Sequence, residues 1–212
     1  MLDIRNNPIL QRRLDDEQRE LTASTTMKRQ GAKRQMVEAL HRKNAVRDIR
    51  ELPGEGESLH IICRGNFPLW SVVPATLALA TPARIDHLAI ATLGFSTSNA
   101  TDLLQMLDAG QVQAVDIVCS VYFERQNPAE YRIMAEGLSA RHQRLIALRS
   151  HAKIIAMRLS DGRAFVVESS ANLRSCRNIE QITLTQDKAL TEFHAAWISA
   201  VIDAAQASEK PK

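Results

Sequence analysis

The sequence predicts an α/β fold, a mostly parallel sheet flanked by helices that ends in a β-hairpin, with a helical segment in front. Three observations carry this. Short apolar runs alternate with helix-like segments from about residue 59. Ser160-Asp161-Gly162-Arg163 separates two strand-like runs with a strong hairpin signal. The first 50 residues are polar and rich in helix formers.

In chain order, residues 1–52 form the basic N-terminal segment. Ala32, Met36 and Leu40 recur at helical spacing, and Lys28, Arg29, Lys33 and Arg34 surround that narrow stripe. Residues 53–58 (Pro-Gly-Glu-Gly-Glu-Ser) read as a linker. The main domain follows over 59–205, and 206–212 is expected to be a disordered tail. Strands are expected at 60–63, 87–92, 115–120, 144–148, 152–158, 164–168 and 181–185. Helices are expected at 69–80, 100–109, 128–141 and 189–205. Asn99 suits the N-cap of the second of these, and Asn127 with Pro128 suits the third.

The formal charge of +3 is unevenly placed. Residues 1–50 hold twelve Lys and Arg against seven Asp and Glu, and the rest hold fifteen against seventeen. A polyanionic partner, DNA or RNA, would use that excess, with Lys33 and Arg34 among its contacts; a solvated helical face explains it equally. The nine aromatics are too few to suggest a stacking platform. Cys63, Cys119 and Cys176 are widely spaced, which argues against a disulfide scaffold or a zinc ribbon; the first two lie in apolar runs and read as core. The N-terminus is polar, and the apolar stretch 68–83 holds three prolines. A cytoplasmic protein without membrane contact is expected. P-loop, dinucleotide and zinc signatures are missing, so neither cofactor nor metal is expected.

The chemistry concentrates in residues 150–181. His151 and Lys153 are two apart and would share one face of a strand. With Asp161-Gly162 as a two-residue turn, His151 falls opposite Asn172 and Lys153 opposite Ser170, provided the register does not slip. An ammonium, a hydroxyl and a carboxamide can grip a phosphoryl group while the imidazole attacks phosphorus. A catalytic histidine needs an orienting carboxylate, and Glu180 is the candidate. Arg64 and Asn66 after the first strand, and Ser96 after the second, stand where ligands bind at strand ends.

These residues resemble the phospholipase D superfamily, whose signature is H-x-K-x4-D, then G-S-x-N, then a downstream Glu. His151-Ala152-Lys153 matches the first part, Ser170-Ala171-Asn172 the second, and Asn178-Ile179-Glu180 the third. The resemblance covers roughly 59–200. It implies a phospholipase D-like half-domain and metal-independent phosphodiesterase chemistry through a phosphohistidine, with a second motif contributed by a homodimer partner. The chain departs from the signature at Arg158, where Asp is expected, and at Ser169, where Gly is.

Overall fold

A computed structural model describes residues 27–174 and 178–209, with side chains described from 38 onward and to 208. The elements are α1 (Met27–Ile49), β1 (Ser58–Cys63), a 3-10 turn (Leu69–Ser71), α2 (Val72–Leu79), β2 (Ile85–Ala91) and α3 (Thr97–Asp108). They continue with β3 (Val115–Ser120), α4 (Val121–Gln126), α5 (Pro128–Ser139), β4 (Arg144–Leu148), β5 (Ile154–Leu159), β6 (Ala164–Ser169), β7 (Glu180–Gln186) and α6 (Lys188–Glu209). The short helix α4 was not anticipated. The chain divides into two compact units, 1–40 and 41–212. Ala45 and Ile49 are buried in the core of the larger unit, so the end of α1 and the 53–58 stretch lie within that unit.

All seven strands form one sheet, ordered β1-β7-β6-β5-β2-β3-β4. The expectation of a mostly parallel sheet is corrected: β2–β3 and β3–β4 are parallel, and the other four pairings are antiparallel. Strand–helix alternation constrains strand direction but not adjacency. β1 runs in the direction of β2, as a crossover through a helix requires, yet β5, β6 and β7 insert between them.

Period-2 alternation builds two cores. Leu88, Ile90, Ile117, Ile155 and Phe165 face the layer that holds α2, α3 and α5. Ala89, Ala91, Val118, Ala156 and Val166 face the opposite way, against Ile198 and Ile202 of α6. Three alanines at the centre of that face give α6 a close seat. Cys63 and Cys119 are core residues, and burial, with Glu124 nearby, pushes the Cys119 thiol up to about 12, which makes it inert. Cys176 lies outside the described residues.

The hairpin differs from expectation by one residue. Leu159 N donates to the Arg163 carbonyl at 2.9 Å, so the loop is Ser160-Asp161-Gly162, with Gly162 at φ +90°. Ser160 is drawn out of the ladder: its N–H donates to the Arg84 carbonyl, and its Oγ accepts from Arg84 N at 3.1 Å. A three-residue loop ending in left-handed glycine shifts the register, so Ile154 faces Glu168 and Arg158 faces Ala164. His151 is therefore not paired with Asn172, nor Lys153 with Ser170. Ser169 N instead donates to the Lys153 carbonyl at 3.2 Å.

A buried ionic group lies under α6. The Asp116 carboxylate takes His87 Nε2 at 3.0 Å and Arg144 Nε and Nη2 at 2.6 and 2.7 Å, and Arg144 also reaches Ser199 Oγ at 2.8 Å. Burial alone would raise the Asp116 carboxyl; the hydrogen bonds from His87 and Arg144, and the Arg144 charge, outweigh it and hold the group at about 2, below its ordinary 3.8. A depressed carboxyl contributes stability that is complete above the unfolded value and lost as pH falls toward the folded one. Here the window is roughly pH 4 to 2, and the contribution is on the order of 2 kcal/mol. We expect Asp116→Asn to cost about 1–3 kcal/mol at pH 7. It should also flatten the pH dependence of the urea midpoint between pH 4 and 2; an unchanged slope would assign acid sensitivity to other carboxylates.

Candidate active site at one end of the sheet

Strand directions bring the loops that hold the sequence candidates to a single end of the sheet. The C-terminal ends of β1, β2, β3, β4 and β6 and the N-terminal ends of β5 and β7 meet there. Residues 149–153 connect β4 at the sheet edge to β5 and must pass over the ends of β3 and β2. Three strand spacings are roughly 14 Å. The six Cα steps from Leu148 to Ile154 reach at most about 20 Å. The segment is long enough to span the three strands, and His151 is at its middle.

Local bonds hold this strap. Ser150 N donates to the Leu148 carbonyl at 2.9 Å, and Ala152 N to Ser150 Oγ at 3.3 Å. Ala152 and Ile154 pack against the α6 core. Lys153 Nζ lies 3.1 Å from His151 Nδ1 and donates to the His151 carbonyl at 2.9 Å. An ammonium can only donate, so this contact makes Nδ1 an acceptor and leaves the imidazole proton on Nε2.

The second half of the motif is held from β6. Ser170 and Asn172 follow that strand and are not part of its ladder. Asn172 Oδ1 accepts from Leu93 N at 3.2 Å, which carries its carboxamide from the end of β6 past β5 to β2. With Oδ1 engaged, the amide NH2 is the group left to donate. Ser170 Oγ donates to Glu180 Oε2 and accepts from Gln181 N at 3.0 Å. Glu180, at the start of β7, thus orients Ser170; the expectation that it fixes the His151 tautomer is corrected, since the group at Nδ1 is Lys153.

The other candidates have separate roles. Ser96 caps α3, accepting from Asn99 N at 3.2 Å, and Asn99 Oδ1 accepts from Ser96 N at 2.9 Å. Ser96 is therefore the N-cap and Asn99 the third residue of a capping box, which corrects the expectation that Asn99 is the N-cap. Asn66 donates to Asp48 Oδ2 at 3.2 Å and accepts at its carbonyl from Asn44, so it ties the loop after β1 to α1. Arg64 is exposed at the end of β1. Lys33 and Arg34 belong to the α1 backbone, and their side chains lie outside the described residues. Arg158, in place of the motif aspartate, points toward α6 and meets both Glu192 oxygens at 3.4 Å. Reading the sequence missed the Leu93 amide. No side-chain pattern marks a backbone donor that becomes useful only once β2 and β6 are brought near.

The fold is similar to that of two kinds of solved structure. A polyphosphate kinase from Porphyromonas gingivalis matches 74% of this chain and 26% of its own, at 13% identity and a TM-score of 0.49. Yeast tyrosyl-DNA phosphodiesterase matches 60% and 31%, at 13% identity and a TM-score of 0.38. Both kinds of protein are members of the phospholipase D superfamily. The chain spans about a quarter to a third of the length of these structures. No family model and no curated protein matches the sequence. Among the described residues, no helix is long and apolar enough to cross a membrane.

The Asn172–Leu93 contact predicts a split between two substitutions. Asn172→Asp keeps an acceptor for Leu93 N and should melt close to the parent. Asn172→Leu leaves that N–H without its acceptor and should cost about 1–3 kcal/mol in a thermal melt. Equal melting of the two would place the Leu93 amide in contact with solvent.

Proposed function

We propose that this chain is a metal-independent phosphodiesterase of the phospholipase D type, acting on nucleic acid as a homodimer. The observation that supports the reading is that the strap holding the His151–Lys153 pair and the Asn172 side chain, tied to Leu93 after β2, belong to the same end of the sheet. Arg64, Arg149, Lys153 and Arg174 come from segments at this end, with Glu180 as a carboxylate among them, and this favours a phosphate-bearing substrate.

In the proposed cycle a phosphodiester enters between two copies of the site. Lys153 leaves Nδ1 for a non-bridging oxygen, and the Asn172 amide donates to the same group. Once Nδ1 holds the proton, the Nε2 lone pair forms a bond to phosphorus as the P–O bond to the leaving group breaks. The second copy's imidazole, protonated on both nitrogens, gives its Nε2 proton to the leaving oxygen and becomes neutral. Water then attacks phosphorus, the P–N bond breaks, and the same imidazole takes the water's proton. In either copy Lys153 must leave Nδ1, because the nucleophile and the proton donor both carry a proton on that nitrogen. Ser170 holds the 169–172 turn against Glu180 and serves the substrate by placing Asn172.

A second reading has its own support. Arg158 replaces the motif acid and is spent on Glu192, and Glu180 is spent on Ser170. A module of this type that binds DNA or RNA without turnover, in a regulatory or structural role, is the alternative.

The deciding assay offers DNA and RNA oligonucleotides to purified protein in EDTA, beside His151→Ala and with light scattering for oligomeric state. The expected outcome is cleavage by a dimer that falls at least 1,000-fold in His151→Ala, the scale of losing a nucleophile. Salt-sensitive binding with no cleavage would select the alternative, and cleavage that survives His151→Ala would remove both readings.

A further inference from the structure

Three large apolar side chains are exposed at the same end of the sheet: Ile62 near the end of β1, Tyr122 just after β3, and Ile179 before β7. Tyr122 is the aromatic one, 64% exposed. Among the described residues most other rings are sequestered: Phe67, Trp70, Phe95, Phe123 and Phe165 are each at most 4% exposed. Phe193, the other exposed ring, sits on α6 against His194.

Two contacts fix the backbone that presents Tyr122. Its N–H donates to Ser120 Oγ at 3.2 Å, the N-cap of α4. The next residue, Phe123, is buried against Phe95, with ring centroids 4.7 Å apart. Phe123 also fills the space where a side chain at Gly94 would stand; a Cβ there would fall 2.3 Å from its ring. The β2 loop is thereby locked to α4, and the exposed ring extends from a rigid mount. The strap that carries His151 runs from β4 to β5 and so passes the end of β3, two residues before Tyr122.

We propose that Tyr122 is a stacking platform for an unpaired base next to the scissile phosphate, making single-stranded nucleic acid the substrate. The inference rests on the phosphodiesterase reading above. A sequence with nine aromatics offers no continuous platform, but one ring held at the strap's end of the sheet can orient a nucleotide flanking the phosphate. A ring on a fixed backbone gives up little freedom when a base stacks on it. An unpaired base exposes the π-face that stacking requires, whereas a base inside a duplex does not.

The test uses full-length protein carrying His151→Ala, so that turnover does not consume the probe, and a single-stranded oligonucleotide with one 2-aminopurine, in EDTA. Binding should quench the probe. Adding Tyr122→Ala should weaken binding roughly 10- to 100-fold and abolish quenching, while Tyr122→Phe should preserve both. An oligonucleotide with an abasic site in place of 2-aminopurine should bind the His151→Ala protein and its Tyr122→Ala derivative alike. In the His151-intact background, Tyr122→Ala should lower kcat/KM on single strands by a similar factor.

If the His151-intact protein cleaves oligonucleotides and Tyr122→Ala cleaves them equally well, the stacking role falls and the enzymatic reading stands. If neither protein cleaves or binds nucleic acid, the reading beneath it falls as well. If Tyr122→Ala instead converts a dimer into a monomer by light scattering, the ring belongs to the interface between copies, and the proposal is overturned.

Discussion

A short connection that crosses from one edge of the sheet to its middle governs the site. β4 lies at one edge of the sheet and β5 lies beyond β2, so the five residues between them must cross two strand ends. Ser150 and Ala152 hydrogen-bond within that stretch, Ala152 and Ile154 are seated on α6, and Ser169 N takes the Lys153 carbonyl where β5 begins. His151 is exposed but not adrift, because its backbone is held on both sides. Preorganisation of this kind replaces the strand face that an isolated hairpin would have offered.

The polar groups around the strap form pairs. Lys153 engages His151, Ser170 engages Glu180, and the Asn172 carbonyl engages a backbone amide. Each pair leaves a particular atom turned to its task, and the part-buried Asn172–Leu93 contact also matches an amide that would be costly to leave without a partner. The His151–Lys153 pair is the one a substrate would have to break, since ammonium and phosphoryl oxygen attract more strongly than ammonium and neutral imidazole. Arg158 belongs to a different economy, joining β5 to α6 through Glu192 on the outside of the domain.

The two sheet faces divide the remaining work. The face with larger side chains carries the main core, and the alanine-rich face seats one long helix over the His87–Asp116–Arg144 cluster. That cluster joins β2, β3 and β4 to α6 through charges held below the helix. These three strands are the parallel part of the sheet, and two of them form the floor beneath the strap.

Much of this was legible in the order of residues alone. Apolar period and turn chemistry located every strand and all of the longer helices of the main domain, because those depend on neighbours within a few positions. The H-x-K and S-x-N pairs were visible for the same reason, and their chemistry follows from the functional groups themselves. The hairpin register was not legible: Ser160 leaves the ladder to bond Arg84, a partner 76 residues away in sequence. Nor could Glu180's partner or the Leu93 amide be read, since each is settled by which segments finally lie side by side. Strand direction is encoded locally, through the length and period of the intervening helix. Strand adjacency comes from the lowest free energy of the whole packed sheet, and that adjacency carries one short segment over two strand ends.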